Sequence, residues 1–307
     1  MNEINVEQLN SNEFLQLANK DMLYQRSGGR EGDHVKFTGN KMQHLNVNGS
    51  HLYQLDLSHK DFSGLDLSNT VFFNCDISYS NFDNTTINKC SFENCIATHA
   101  SFIAAKGDDP NFSFMRMDDA DFPRAQFVEP VFYSANGKNV NIQYGSFVGG
   151  TWDCAKLPFL QADHAKMDYG SMRQTDVSNG SFISATLKNV DATRAVMNNI
   201  NGMNASFDHM LLISTQLCNA NTDKLYMPSV IIHDAKMDFL LAQYGPVNTK
   251  MDTVSYNITK DQISMPGYSG TVSLKEFERD LKDDKMLKAV AETFNYAQKM
   301  QKKQNSR

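Results

Sequence analysis

The chain has 307 residues, 41% of them apolar and 21% charged, with a formal charge of −6. That is enough apolar matter for an extensive core, and the negative balance offers no general attraction for phosphate backbones or anionic lipid, so direct nucleic-acid binding is disfavoured. No apolar run approaches the roughly 18 residues needed to cross a bilayer, and Cys75, Cys90, Cys95, Cys154 and Cys218 contain no C-x-x-C pair, so neither a membrane span nor a zinc ribbon nor a disulfide framework is indicated.

At the amino terminus, the first twenty residues lack the basic start and apolar middle of a cleaved secretory signal. Val6, Leu9, Phe14, Leu15, Ala18, Met22 and Leu23 predict one or two short amphipathic helices, with Asn5 or Ser11 as caps. The glycine-rich stretch 27–33 reads as a hinge. It lacks the Gly-Lys-Ser/Thr of a phosphate loop, so residues 1–34 form a helical segment and linker.

From Phe37 a different order takes over. Every fifth residue is large and apolar: Met42, Val47, Leu52, Leu57, Phe62, Leu67, Phe72, Ile77, Phe82, and onward in unbroken phase to Met237. Of these 41 positions only Ala97, Gly107, Gly137, Ala162, Ala192, Gly202 and Thr222 depart, which chance cannot supply at this apolar content. Two residues before each centre stands a second inward candidate, often small, such as Cys75, Ser80, Thr85, Cys95 or Ala120, commonly with Asp or Asn between the two. A period of five fits neither a 3.6-residue helix nor a two-residue strand; it requires a repeating coil.

Two departures, Gly107-Asp108-Asp109-Pro110 and Asn136-Gly137-Lys138, break the inward series without shifting its phase, and predict projecting loops or bulges. Asp108, Asp109, Asn136, Gly137 and Lys138 are therefore the candidate interaction residues. Beyond Lys250 the pattern ends. Ser273-x-x-Glu276 is a capping box ahead of Leu274, Phe277 and Leu281, so residues 248–307 are read as a helical cap over the last coil with a basic tail, Lys299 to Arg307.

A small residue, Asp or Asn, then Leu or Phe, then two polar residues, resembles the repeat of the pentapeptide-repeat family. The resemblance covers about two thirds of the chain. It implies an all-β solenoid over residues 35–247: a right-handed quadrilateral β-helix with four pentads per coil, about ten coils and about 50 Å of length at the usual strand spacing. It also implies aromatic columns, since steps of twenty residues align Phe62, Phe82, Phe102 and Phe122, and likewise Phe72, Phe92, Phe112, Phe132 and Trp152.

No residue set suggests chemistry. Six of the eight histidines fall on outward corners, and His59 and His99 lie two coils apart, about 10 Å, too far to share a metal. Cys75 and Cys95 read as small core residues. No catalytic, cofactor or metal site is expected, and the chain is read as a non-enzymatic rod that binds a protein partner. The resemblance implies three settings for it: a bacterial effector acting on a host protein, a Qnr-like DNA mimic that binds gyrase, or the recognition part of a HECT-like bacterial ubiquitin ligase. It implies the bacterial cytoplasm or specialised secretion as the location, and a homodimer through the carboxy-terminal end. The diffuse acidic surface, interrupted by Lys89, Lys106, Arg116 and Arg124, ranks mimicry below the first setting.

The register makes a direct prediction. Phe92→Lys places an unpaired charge in the aromatic column and is expected to lower Tm far more than Asp66→Lys on an outward corner. Equal thermal shifts of the two variants would refute the register.

Overall fold

The computed structural model describes residues 2–221, 225–227, 230–233, 235–237, 239–244, 252–257, 262–264, 273 and 275–276. In chain order its elements are β1 (Asn2–Asn5), a 3-10 turn (Val6–Gln8), α1 (Ser11–Ser27), β2 (Val35–Thr38), β3 (His51–Tyr53), β4 (Val71–Phe73), β5 (Lys106–Asp108), β6 (Gln126–Val128) and β7 (Ser146–Val148). They are followed by β8 (Leu211–Ile213), β9 (Gln216–Leu217), β10 (Ile231–His233), β11 (Lys236–Met237), β12 (Phe239–Tyr244), β13 (Asp252–Asn257) and β14 (Gln262–Ser264).

The named strands understate the sheet. Parallel bridges link residues twenty apart almost continuously, from Lys41↔Asp61 to Ser206↔Tyr226, so four pentads make one coil of a β-helix. The pentad around Phe62 shows why five residues repeat. The Asp61 amide donates to the Asn40 carbonyl one coil earlier, and the Phe62 and Gly64 amides donate to the Asn81 and Asp83 carbonyls one coil later. The Leu65 amide closes the corner onto the Phe62 carbonyl at 3.2 Å. From Gly49 to Asn219 the second residue after each inward centre has a positive φ, as at His59 (59°), Gly64 (72°) and Asn69 (60°), the conformation of a type II turn. Asn is frequent there because it tolerates the left-handed region better than most residues.

One amide per pentad, that of the residue after the centre, finds no backbone partner in this scheme. Asp or Asn side chains supply it. Asp61 Oδ1 accepts from the Ser63 amide at 3.0 Å, and Asp66, Asp76 and Asp176 do the same for Ser68, Ser78 and Ser178. Elsewhere the acceptor sits one coil earlier: Asp83 takes the Ile103 amide, Asp118 that of Lys138, and Asp163 that of Ile183. Pro123 and Pro158 occupy the same position, where they have no amide to satisfy and their fixed φ suits the turn.

The interior is an aromatic stack. Phe62, Phe82, Phe102 and Phe122 lie face to face at 4.8 Å between ring centroids, and Phe72, Phe92, Phe112, Phe132 and Trp152 form a second column with spacings of 4.1–5.5 Å. Rings of the two columns meet edge to face, as Phe82 does Phe92 at 5.3 Å. Each fully buried ring contributes roughly 1.5–3 kcal/mol from area alone, so the columns dominate the stabilisation. Thr70, Cys75, Ser80 and Cys95 fill the small inward positions and donate to the carbonyls of Val47, Leu52, Leu57 and Phe72 in the preceding coil.

Several expectations need correction. Neither glycine departure projects as a loop. Lys106–Asp108 is a strand paired in register with Gln126–Val128, and Asn136 bridges both Arg116 and Lys156. At Gly107 a Cβ would lie 2.7 Å from the Ile87 carbonyl carbon, and at Gly137 2.7 Å from the Met117 carbonyl oxygen, so these inward positions are empty because the preceding coil already occupies the space. The α1 cap is Asn10, in a capping box with Glu13, rather than Ser11. Stretch 27–33 is a tight return onto α1 and not a hinge: Gly28 is a left-handed C-cap, and the Asp33 amide donates to the Lys20 carbonyl at 3.2 Å.

The amino-terminal segment is also not purely helical, because β1 pairs in parallel with β2 while Phe14 packs on Phe37 at 5.1 Å. At the other end β12, β13 and β14 form an antiparallel sheet, so strands precede the expected carboxy-terminal helix and cross the expected boundary at 247. Thr253, Val254 and Tyr256 suit a strand; the pentad reading ignored that propensity. Ser273 and Glu276 do form the capping box, while Leu274, Phe277, Leu281 and the basic tail lie outside the described residues.

The cramped backbone at Gly107 yields a counter-intuitive expectation. Gly107→Leu, which restores the repeat pattern, should destabilise the fold by at least about 1–3 kcal/mol through overpacking against Ile87. A chemical-denaturation midpoint equal to or above that of the parent would contradict it.

Candidate interaction surface

The five sequence candidates do not converge. Asp108 and Lys138 are thirty residues apart in the chain, one and a half turns of a twenty-residue coil, so they face opposite sides of the helix. The Asp108 amide is held by Asn88 Oδ1 at 3.0 Å and the Lys138 amide by Asp118 at 2.8 Å. Lys138 Nζ lies 5.1 Å from the Phe159 ring, a cation–π contact, and Asp109 takes a left-handed corner. Asp108 does border a shallow groove of about 440 Å³, floored by Gly107 and edged by Lys106, Gln126 and Val128.

The polar surface is largely committed to the backbone. Asp66 is exposed, as expected of an outward residue, and it also accepts from both the amide and the hydroxyl of Ser68, bonds that hold its carboxyl below the ordinary carboxylate range. At Asp191 burial opposes ionisation, but bonds from Thr193 and Arg173 outweigh it and its pKa is lowered too. Burial pushes the Cys90 and Cys95 thiols well up, which keeps them protonated at neutral pH. Lys60 stands where a small inward residue is expected. It is buried with its Nζ 3.3 Å from the Ser58 carbonyl, and burial lowers its pKa.

Among the described residues no group of three or more His, Cys, Asp or Glu side chains is placed to hold a metal ion, and no helix is long and apolar enough to cross a membrane. His59, Tyr79 and His99 stack along one corner at 4.9 and 4.8 Å, with interplanar angles of 4° and 29°, so each imidazole is engaged by a ring face.

What remains unengaged is apolar. The side of the coil that carries β3 and β4 presents Tyr53, Val71 and Phe73, and two to three coils further Phe114, Val131 and Tyr133. Phe114 and Tyr133 are 46% and 42% exposed and meet edge to face at 5.5 Å. Apart from His51, the only acidic or basic side chain at these strand and corner positions as far as Tyr133 is Glu93. The sequence reading missed this surface because it scored only the inward centres. The signal was present in the residues just after them, where Tyr53, Phe73 and Tyr133 stand at positions that elsewhere hold Ser63, Ser68 and Ser78.

The geometry defines a β-helix of five-residue repeats with twenty residues per coil, and residues 50–88 match the family model for pentapeptide repeats in eight copies. Solved structures of the same kind include HetL, a pentapeptide repeat protein involved in heterocyst differentiation regulation from the cyanobacterium Nostoc, at 14% identity over 75% of this chain and 95% of that one, with a TM-score of 0.38. Another is QnrB1, a plasmid-mediated fluoroquinolone resistance protein, at 17% identity over 65% of this chain and 87% of that one, with a TM-score of 0.28. At such identities and scores these likenesses do not extend to function. No curated protein matches the chain significantly.

The carboxylate caps make stability depend on acid. Carboxyls whose folded pKa is depressed contribute stability that is present above the unfolded value of 3.8 and is lost as pH falls through the folded one. Tm should therefore hold from neutral pH down to about pH 5 and decline below about pH 4, with a smaller decline in Asp66→Asn, whose amide oxygen keeps the cap without titrating. A flat Tm down to about pH 2 would contradict the capping role.

Proposed function

We propose that the chain is a non-enzymatic protein-binding rod whose docking surface is the aromatic side of the coil carrying Tyr53, Phe73, Phe114 and Tyr133. The observation that carries this reading is the exposed Phe114–Tyr133 pair, together with Tyr53 and Phe73, at positions where the coil requires no aromatic. Aromatic residues on a weakly charged face are the usual anchors of protein–protein interfaces. Within this reading the partner is a protein of a host cell, the chain being an effector of bacterial origin, and two copies associate through the carboxy-terminal end. The candidate residues Asp108, Asp109, Asn136, Gly137 and Lys138 belong to the flanks of the rod and would contact a partner only if it wraps around.

Binding to gyrase by DNA mimicry is the second reading, and the carboxylate bonding weighs against it. A mimic needs acidic groups ranged along one side and free to present their charge, whereas Asp61, Asp66, Asp76, Asp83, Asp118 and Asp163 are drawn into bonds to backbone amides. Recognition on behalf of a HECT-like ligase has no specific support beyond the resemblance.

The test uses the full chain as bait. Phe114→Ser with Tyr133→Ser should abolish retention of the protein partner, while Tyr144→Ser on the opposite side leaves it intact. All three sites are exposed, so Tm should move little. Retention that survives the double change, or competition with DNA for purified gyrase, would overturn this reading.

A further inference from the structure

The aromatic side of the coil begins in a cleft of about 440 Å³ between the last turn of α1 and the coils carrying β3 and β4, lined by Arg26, Tyr53, Gln54, Phe73 and Asn74. Its floor is the Tyr53–Phe73 pair, edge to face at 6.1 Å, with the Tyr53 hydroxyl 2.8 Å from His51 Nδ1. Asn74 is braced by a hydrogen bond from Asn94, and Gln54 stands on a left-handed corner with its amide exposed. The wall opposite is Arg26. The neighbouring cations are spoken for, Lys20 by Asp33 at 3.2 Å and Lys36 by Glu3 at 2.8 Å, whereas Arg26 is exposed and in no ion pair among the described residues.

We propose that this cleft binds a short peptide segment of the partner in which an acidic residue adjoins an aromatic one; the proposal rests on the protein-binding reading above and names the chemistry at one end of that surface. Each lining group has one role. The guanidinium takes the carboxylate in a two-point contact, for which its planar fork is suited. The half-buried Tyr53 and Phe73 rings offer an edge-to-face seat for the incoming ring. The carboxamides of Gln54 and Asn74, each both donor and acceptor, satisfy the peptide backbone. Charge sets the direction: Glu93, one coil past Phe73, repels the acid group and leaves Arg26 as its one favourable position, so the segment lies with its acid toward α1 and its apolar part toward Phe114. Arg26 sits in the last turn of α1, where its charge suits the helix dipole, but the packing of α1 does not use it, since the helix docks through Phe14, Ala18 and Asp21.

The experiment is a titration of the full chain with fluorescently labelled acetyl-Phe-Asp-Phe-amide, with acetyl-Phe-Lys-Phe-amide as the comparison. Saturable binding of the acidic peptide is expected, weakened about tenfold or more by Arg26→Gln and by Tyr53→Ala, and about tenfold weaker for the basic peptide. Arg26→Gln should leave Tm unchanged, which separates lost binding from lost folding. Equal binding of the two peptides, indifference to Arg26→Gln, or no saturable binding at millimolar peptide overturns the proposal. If the partner is lost on changing Phe114 and Tyr133 but retained with Arg26→Gln, the cleft assignment fails while the protein-binding reading stands.

Discussion

The constraint on which the rest depends is that each pentad must place its amides against the carbonyls of coils twenty residues away. Two amides donate forward, one backward and one into the corner, which leaves a single amide per pentad without a backbone acceptor. A buried or half-buried donor cannot be left so without a cost of about 1–3 kcal/mol. The abundance of Asp and Asn follows: a side-chain oxygen, from the same pentad or from the coil before, completes the accounting. The left-handed corner, present at every corner from Gly49 to Asn219, turns the chain sharply to begin the next face.

The narrow interior that this closure creates explains the packing. Aromatic rings one coil apart fall at stacking distance without adjustment, since the strand spacing of about 4.8 Å is also a comfortable ring separation. The same closeness makes glycine necessary at a few centres. Gly107 and Gly137 interrupt the apolar series because the backbone of the preceding coil stands within van der Waals contact, and Gly150 leaves room for the Trp152 indole, whose Nε1 would lie 2.9 Å from a Cβ there.

These demands also sort the surface. Acidic residues that look like a field of charge are for the most part hydrogen-bond acceptors serving the coil, and the corner histidines and tyrosines stack on one another. Among the side chains left over are the aromatic groups beside β3 and β4, the Phe114–Tyr133 pair and Arg26 at the end of α1, while Ile103, Val128 and Tyr169 stand exposed on other sides.

The sequence by itself determined the coil. Its five-residue phase runs unbroken from Phe37, and that period identifies which residues point inward and which cysteines are core, because inwardness in a β-helix is a property of position within the pentad; which rings stack followed only from the four-pentad coil that the family resemblance implies. It could not determine what depends on distance between pentads. Whether Gly107 is a loop or a squeezed strand turns on how near Ile87 lies; whether the exposed Asp66 also caps an amide turns on the conformation of the corner beside it. The aromatic surface arises the same way, since Phe73 and Tyr133 are sixty residues apart in the chain and share a side only because sixty is three whole coils. The cleft at Arg26 lay furthest from view, because it exists only where α1 folds back on the coil, and no periodicity within either element specifies that contact.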